Sequence, residues 1–157
     1  MTQLTGNDFD NISSYFENKM RSNELFVDPY TNEKEFLSFA IKDSLFNYRC
    51  LYYANEEMSN VACFKLRRKP LSLSIIDIIY LAGSFDVDFI NQMKQVFSEI
   101  KDNHDNIQKM NISVLEKIFS NISGYDTFVK ELGFSQEAYF YDEFGQGNHV
   151  VVFSRYV

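Results

Sequence analysis

Tryptophan is absent from this sequence, proline occurs twice and glycine six times in 157 residues. So few chain-breaking residues exclude collagen-like, linker-rich and low-complexity organisation. Cysteine is almost as scarce. Cys50 and Cys63 cannot build a disulfide framework, and without a C-x-x-C or a Cys/His cluster they read as reduced core thiols, which suits a reducing cytosol. The two histidines, His104 and His149, lie far apart, so no metal site is expected. Positive charge is short as well: 15 Lys and Arg stand against 22 Asp and Glu, for a net charge of −7. Phosphate-backbone binding is driven by Lys and Arg releasing counterions, so no nucleic-acid partner is expected. No long apolar run is present. The strongest, Ile75–Ala82, is interrupted by Asp77 and falls far short of the ~20 residues of a membrane span. The opening MTQLTGNDFD has neither the basic nor the apolar region of a signal peptide, and a cytoplasmic location away from membranes is expected. No G-x-S-x-G, P-loop or G-x-G-x-x-G occurs.

What is present is a globular mixture: 45% of residues are hydrophobic and 24% charged, enough to bury one core over residues 1–157 as a single domain. Phenylalanine (16) and tyrosine (10) make that core rich in rings. A short strand is expected at Thr2–Leu4. Asn7-Asp8 precedes Phe9, Ile12, Tyr15, Phe16 and Met20, a three-and-four spacing that predicts a helix over about 8–20. A second helix is predicted over about 32–46 from Phe36, Leu37, Phe39, Ala40 and Phe46. Tyr48–Ala54 and Val61–Leu66, joined by the polar Asn55–Asn60, read as an antiparallel hairpin. Arg67-Arg68-Lys69-Pro70 reads as a basic connection, either a solvated loop or an anion patch. Leu73–Ala82 is apolar on both faces and predicts a central strand covered on both sides. After Gly83, Asp86 or Ser84 caps a helix striped by Phe89, Ile90, Met93, Val96, Phe97 and Ile100. A polar loop, Lys101–Asn106, leads to a strand at Ile107–Val114, expected beside the central strand and diverging from it. Leu115–Leu132 carries one or two helical pieces broken near Asn121–Gly124, and Gly133 suits a C-terminal cap. Phe134–Phe144 and His149–Val157 read as two strands around the hairpin signal Gly145-Gln146-Gly147-Asn148. The order β-α-α-β-β-β-α-β-α-β-β predicts an α/β fold: a mixed sheet of six to seven strands with helices on both faces.

That order, with three short segments, resembles the GNAT superfamily of acyl-CoA N-acyltransferases over nearly the whole chain. Gln3-Leu4-Thr5-Gly6-Asn7-Asp8-Phe9 is similar to the family's R-x-L-T-x-x-D entry into its first helix. Ser74–Leu81 is similar to its fourth strand, and Val129-Lys130-Glu131-Leu132-Gly133-Phe134 to its Y-E-K-L-G-F segment. The resemblance implies an acetyl-CoA-dependent N-acetyltransferase acting on a small amine or a protein amine, with the pantetheine arm inserted between the fourth and fifth strands. The acidic surface would favour a cationic acceptor. The implied cofactor positions are Ile79, Leu81, Ala82, Gly83, Phe89, Ile90 and Asn121, with the pyrophosphate on the free amides of the helix that follows Gly83.

Two departures run against that implication. The family's R/Q-x-x-G-x-G/A loop becomes Asp86-Val87-Asp88-Phe89-Ile90-Asn91, which puts carboxylates near a pyrophosphate and a large ring where glycine would let the backbone approach. The late tyrosine that protonates the leaving thiolate becomes Val129; Tyr125, one helical turn earlier, is the candidate replacement. For the general base the candidate is Asp77, the one charged residue inside the apolar strand. Alternation places it on the face of Ile75, Ile79 and Leu81, and burial would raise its pKa. The alternative for Asp77 is an exposed strand position, or a carboxylate satisfied by a neighbouring backbone group or an Arg. The alternative expectation is therefore a degenerate GNAT-fold module that binds a protein or small-molecule partner and catalyses nothing, with acetyl-CoA binding weak or absent.

Overall fold

The computed structural model describes residues 1–21, 29–30, 50–68 and 74–157. Their elements are β1 (Thr2–Leu4), α1 (Phe9–Arg21), β2 (Cys50–Ala54), β3 (Val61–Arg68), β4 (Ser74–Ala82), α2 (Val87–Asn103), β5 (Ile107–Leu115), α3 (Glu116–Phe119), α4 (Tyr125–Glu131), β6 (Ser135–Phe140) and β7 (Val150–Tyr156). The helix predicted over 32–46 lies outside the described residues, as do Tyr48, Lys69, Pro70 and Leu73. None of the described helices is long and apolar enough to cross a membrane.

The strands form one mixed sheet in the order β1-β2-β3-β4-β5-β7-β6. Neighbours are antiparallel except β4 and β5, which are parallel because α2 carries the chain back across the sheet between them. The doubly apolar strand is thus the central one, with the strand from Ile107 beside it. Its pairing with β5 runs from Ser74↔Ile107 to Ile78↔Ile112 and stops there, although β4 continues to Ala82 and β5 to Leu115. Beyond Ile78 the two central strands part.

Each face of the sheet buries its own cluster. On one face α1 lays Ile12 and Phe16 over Cys50, Tyr52, Cys63, Ile79 and Tyr80. The opposite face carries α2 and α4, whose Phe89, Met93, Val96, Phe97 and Phe128 pack on Phe64, Ile76, Ile78, Leu81, Met110, Ile112 and Phe153. The three-and-four spacing of both helices is this burial.

Several boundaries differ from the sequence reading. The cap of the first helix belongs to Thr5: its side chain accepts from Asn7 N, and Asp8 closes the box by accepting from Thr5 N at 2.8 Å. A 3₁₀ turn, Gly6–Asp8, therefore precedes α1. Arg67 and Arg68 are not in a loop, since β3 extends through them, paired to Ile75 and Ser74. The strand expected over Phe134–Phe144 ends at Phe140. Asp142 at φ +51 turns the chain, and its carboxylate accepts from Gly147 N at 2.7 Å, so the connection starts well before Gly145.

Candidate functional site

The site begins with a break in alternation. Cys63 pairs with Tyr80 but Phe64 pairs with Ile78, so Ile79 is an extra residue in β4. Such a bulge shifts every later side chain by one position. Ile79 and Tyr80 both join the cluster under α1, and Leu81 turns to the α2 face. The expectation that Asp77, Ile79 and Leu81 share a face therefore fails at Leu81: the inserted residue reverses the alternation.

Asp77 lies upstream of the bulge, on the α1 side but beyond the cover of Ile12 and Phe16. It opens on a cavity of about 540 Å³ lined by Lys65, Arg67, Asp77, Asn111, Ser113 and Glu137, with Ala138, Val152, Phe140 and Tyr30 as its apolar walls. That volume lies within the range of small-molecule pockets. The floor is one register row, Lys65↔Asp77↔Asn111↔Ser154, read across four strands. Arg67 holds the buried Asp77 carboxylate through two hydrogen bonds, from Nε to Oδ2 and from Nη2 to Oδ1 at 2.8 Å. Asn111 Nδ2 approaches Oδ1 at 3.4 Å. The Ser154 hydroxyl is shared between Asn111 Oδ1, at 2.8 Å, and the Glu137 carboxylate. Lys109 donates to Glu137 at 2.6 Å. Glu137 reaches this row because it too is an extra residue: Gln136 pairs with Phe153 and Ala138 with Val152. The hydrogen bond from Lys109, followed by that from Ser154, holds the Glu137 carboxyl below the usual carboxylate range. The row is thus a chain of hydrogen bonds across the polar part of this face, charge-assisted at Asp77 and at Glu137 and neutral between Ser154 and Asn111.

The other end of β4 is closed. Phe89 is fully buried, and a Cβ added at Gly83 would stand 2.4 Å from its ring, so Gly83 is glycine because Phe89 lies on it. Phe89 packs on Phe128 (centroids 5.0 Å) and Phe85 (5.7 Å), and Phe85 packs on Tyr125 at 5.2 Å. The Phe85 carbonyl lies 3.1 Å from where a Cβ of Gly124 would be, so the loop before α2 is pressed on the loop before α4. At the start of α2 the anion position is taken by the protein's own carboxylate: Asp86 Oδ1 accepts from Phe89 N at 2.9 Å. Ser84 Oγ donates to Asp86 Oδ2 at 2.6 Å, and these two bonds, that from Ser84 the stronger, hold Asp86 below its ordinary value.

The residues named from the sequence therefore do not converge. Leu81, Phe89, Ile90 and Tyr125 lie in the α2-side core. Ile79 and Ala82 belong to the α1 side. Asn121 stands exposed in the turn before α4, where its Nδ2 donates to Lys117 O at 2.6 Å. Tyr125 is fully buried between Phe85 and Phe119, and burial pushes its hydroxyl far above the usual tyrosine value. Asp77 is separated from Leu81, Phe89, Ile90 and Tyr125 by the thickness of the sheet and from Ala82 by the bulge. Lys65, Asn111, Ser113 and Glu137 carry no reading in the sequence, and Arg67 enters there only as part of a basic connection, solvated loop or anion patch. The signal for two of the cavity residues, Asn111 and Ser113, is the alternation Lys109, Asn111, Ser113 against Met110, Ile112, Val114, which marks one face of β5 as polar.

No family model matches the sequence, and no curated protein matches it. Solved structures do match in fold. An N-acetyltransferase from Staphylococcus aureus superposes with a TM-score of 0.64 at 20% identity, over 99% of this chain and 95% of that one. The spermidine N-acetyltransferase of Vibrio cholerae, in a complex with CoA and spermine, gives 0.62 at 16% identity over 99% and 93%. An acetyltransferase of the GNAT family from Streptococcus pneumoniae gives 0.64 at 11% identity over 99% and 98%. The chain has the fold of the GNAT N-acetyltransferases.

Proposed function

We propose that this chain is a ligand-binding protein built on the acetyltransferase fold, that its working site is the cavity over Asp77, and that it does not use acetyl-CoA. One observation carries the reading: the protein's own groups stand at the end of β4 and cap the first turn of α2. The Phe89 ring covers Gly83, and the Asp86 carboxylate occupies the Phe89 amide. A pyrophosphate at a helix N-terminus needs such amides free. Here it would also meet Asp86 and Asp88, two charges of its own sign, in the first turn. The test is calorimetric titration with acetyl-CoA, paired with thermal unfolding at saturating cofactor. The expected result is no binding heat and an unchanged Tm. A dissociation constant in the low micromolar range overturns the proposal.

A second reading, transfer of an acetyl group from acetyl-CoA to an amine, is favoured by the parting of β4 and β5 beyond Ile78 and Ile112. In that reading the pantetheine enters beside Leu81–Gly83 after Phe85 and Phe89 swing away. Asp77, one residue before the fork, takes the proton of an ammonium bound in the cavity. The acceptor class is suggested by the Vibrio cholerae structure, a spermidine N-acetyltransferase. Thiol release from acetyl-CoA in the presence of spermidine would decide for this reading.

A further inference from the structure

We propose that the cavity over Asp77 takes a small organic acid whose carboxylate is held between Lys65 and Arg67. This rests on the cavity being the working site, and not on whether acetyl-CoA binds. The overall charge of −7 points towards cationic ligands, but the cavity itself is charge-balanced, Lys65 and Arg67 against Asp77 and Glu137, so its free hydrogen-bonding groups decide. Its two carboxylates are already engaged. Asp77 accepts two hydrogen bonds from Arg67 and a longer one from Asn111, and Glu137 accepts two from Lys109 and one from Ser154. A carboxylate offers about four acceptor positions, so each has little left for an incoming ammonium. The cations are the reverse case. Arg67 spends two of its five N–H groups on Asp77 and keeps three. Lys65, two residues earlier on the same face of β3, has no ion-pair partner among the described residues and keeps three donors. The unmet hydrogen-bonding capacity is therefore donor capacity, and it is concentrated on β3.

Arg67 is fixed for this task. Its grip on Asp77 orients the guanidinium fork, so a ligand carboxylate meets a donor set already in place. The remaining walls ask for a carbon skeleton. Tyr30 and Phe140 at the rim, with Ala138 and Val152 deeper, suit a short apolar chain lying across the sheet away from Lys65. Asn111 and Ser113 offer polar contacts midway. Inorganic phosphate would satisfy the cations and leave the apolar half unused, whereas a polyamine would face Lys65 and Arg67 with like charge.

The test uses the full chain, titrated at constant ionic strength with pentanoate, inorganic phosphate and spermidine in separate arms. It is followed by backbone amide NMR and by Tm. Pentanoate is expected to shift the amides of Lys65, Arg67, Asn111 and Ser113 and to raise Tm, with phosphate at least tenfold weaker and spermidine silent. Lys65→Gln removes one charged donor and touches no ion pair of the described residues, so it should weaken pentanoate about tenfold or more while leaving the unliganded Tm unchanged. Silence with pentanoate, equal affinity for phosphate, binding of spermidine in its place, or full affinity in Lys65→Gln would each overturn the proposal. Because acetyl-CoA is absent from all arms, a failure here leaves the account of the closed cofactor end standing, and the reverse also holds.

Discussion

Replacing Phe89 by alanine tests the closed end of β4 directly. The side chain is fully buried, touches the rings of Phe85 and Phe128, and lies against Gly83. Truncating such a ring typically costs about 3–5 kcal/mol, from lost transfer energy plus the cavity left behind. At roughly 2–4 °C per kcal/mol for a chain of this length, Tm should fall by on the order of 10 °C. The same variant opens space over Gly83, and adding Asp86→Asn removes one of the two charges there while keeping a good helix cap. The double variant should therefore gain what the parent lacks. With acetyl-CoA at ~100 times its dissociation constant, stabilisation is about 2.7 kcal/mol, which should appear as a rise of several degrees in Tm. Differential scanning calorimetry of the parent, Phe89→Ala and the double variant, each with and without acetyl-CoA, reads both effects. A loss under about 1 kcal/mol in Phe89→Ala would show that the ring is not the packed plug described. Equal stabilisation of parent and double variant by acetyl-CoA would show that plug and carboxylate do not keep the cofactor out.

The remaining predictions concern single positions. Gly83→Ala puts a Cβ 2.4 Å from the Phe89 ring and 2.7 Å from Asn60 Oδ1, and urea unfolding should show a loss of about 1–3 kcal/mol, as overpacking usually gives. Asp86→Ala removes the α2 cap and should lower Tm near neutral pH. Because Asp86 has a depressed folded pKa, its contribution is present above the ordinary aspartate value and disappears as pH falls through the folded one. The Tm gap between parent and variant should therefore close in acid, and a gap constant with pH would refute the charged cap. Asp77→Asn leaves an amide facing Arg67. With the Arg67 side chain 51% exposed and that of Asp77 6%, the loss should lie between the surface and buried extremes, about 1–2 kcal/mol by denaturant unfolding. In a spectrophotometric titration Tyr125 should stay protonated well above the ordinary tyrosine value, since burial raises its own, and ionisation of Tyr125 at the ordinary value would refute that burial.

The linear sequence determined most of the architecture. Periodicity alone located α1, α2 and the central strand, because a helix or strand that buries one face must repeat its apolar residues at 3.6 or 2, and one buried on both faces need not alternate. The scarcity of glycine and proline made each turn stand out. Asp86 was readable as a cap, since a side-chain acceptor before a helix satisfies an amide that nothing else will. Tertiary structure decided the site. Two inserted residues, Ile79 and Glu137, break alternation inside strands whose sequences carry no Gly or Pro to mark a bulge. One sends Leu81 to the opposite face, and the other brings a carboxylate onto the polar row. The row itself joins residues from β3, β4, β5, β6 and β7, and Lys65, Asp77, Asn111 and Ser154 become neighbours only through strand order and register. Likewise Phe89 looked like one more apolar residue of an amphipathic helix. That its ring covers Gly83 depends on where α2 starts relative to the end of β4, a distance set by packing between elements and not by the spacing within either.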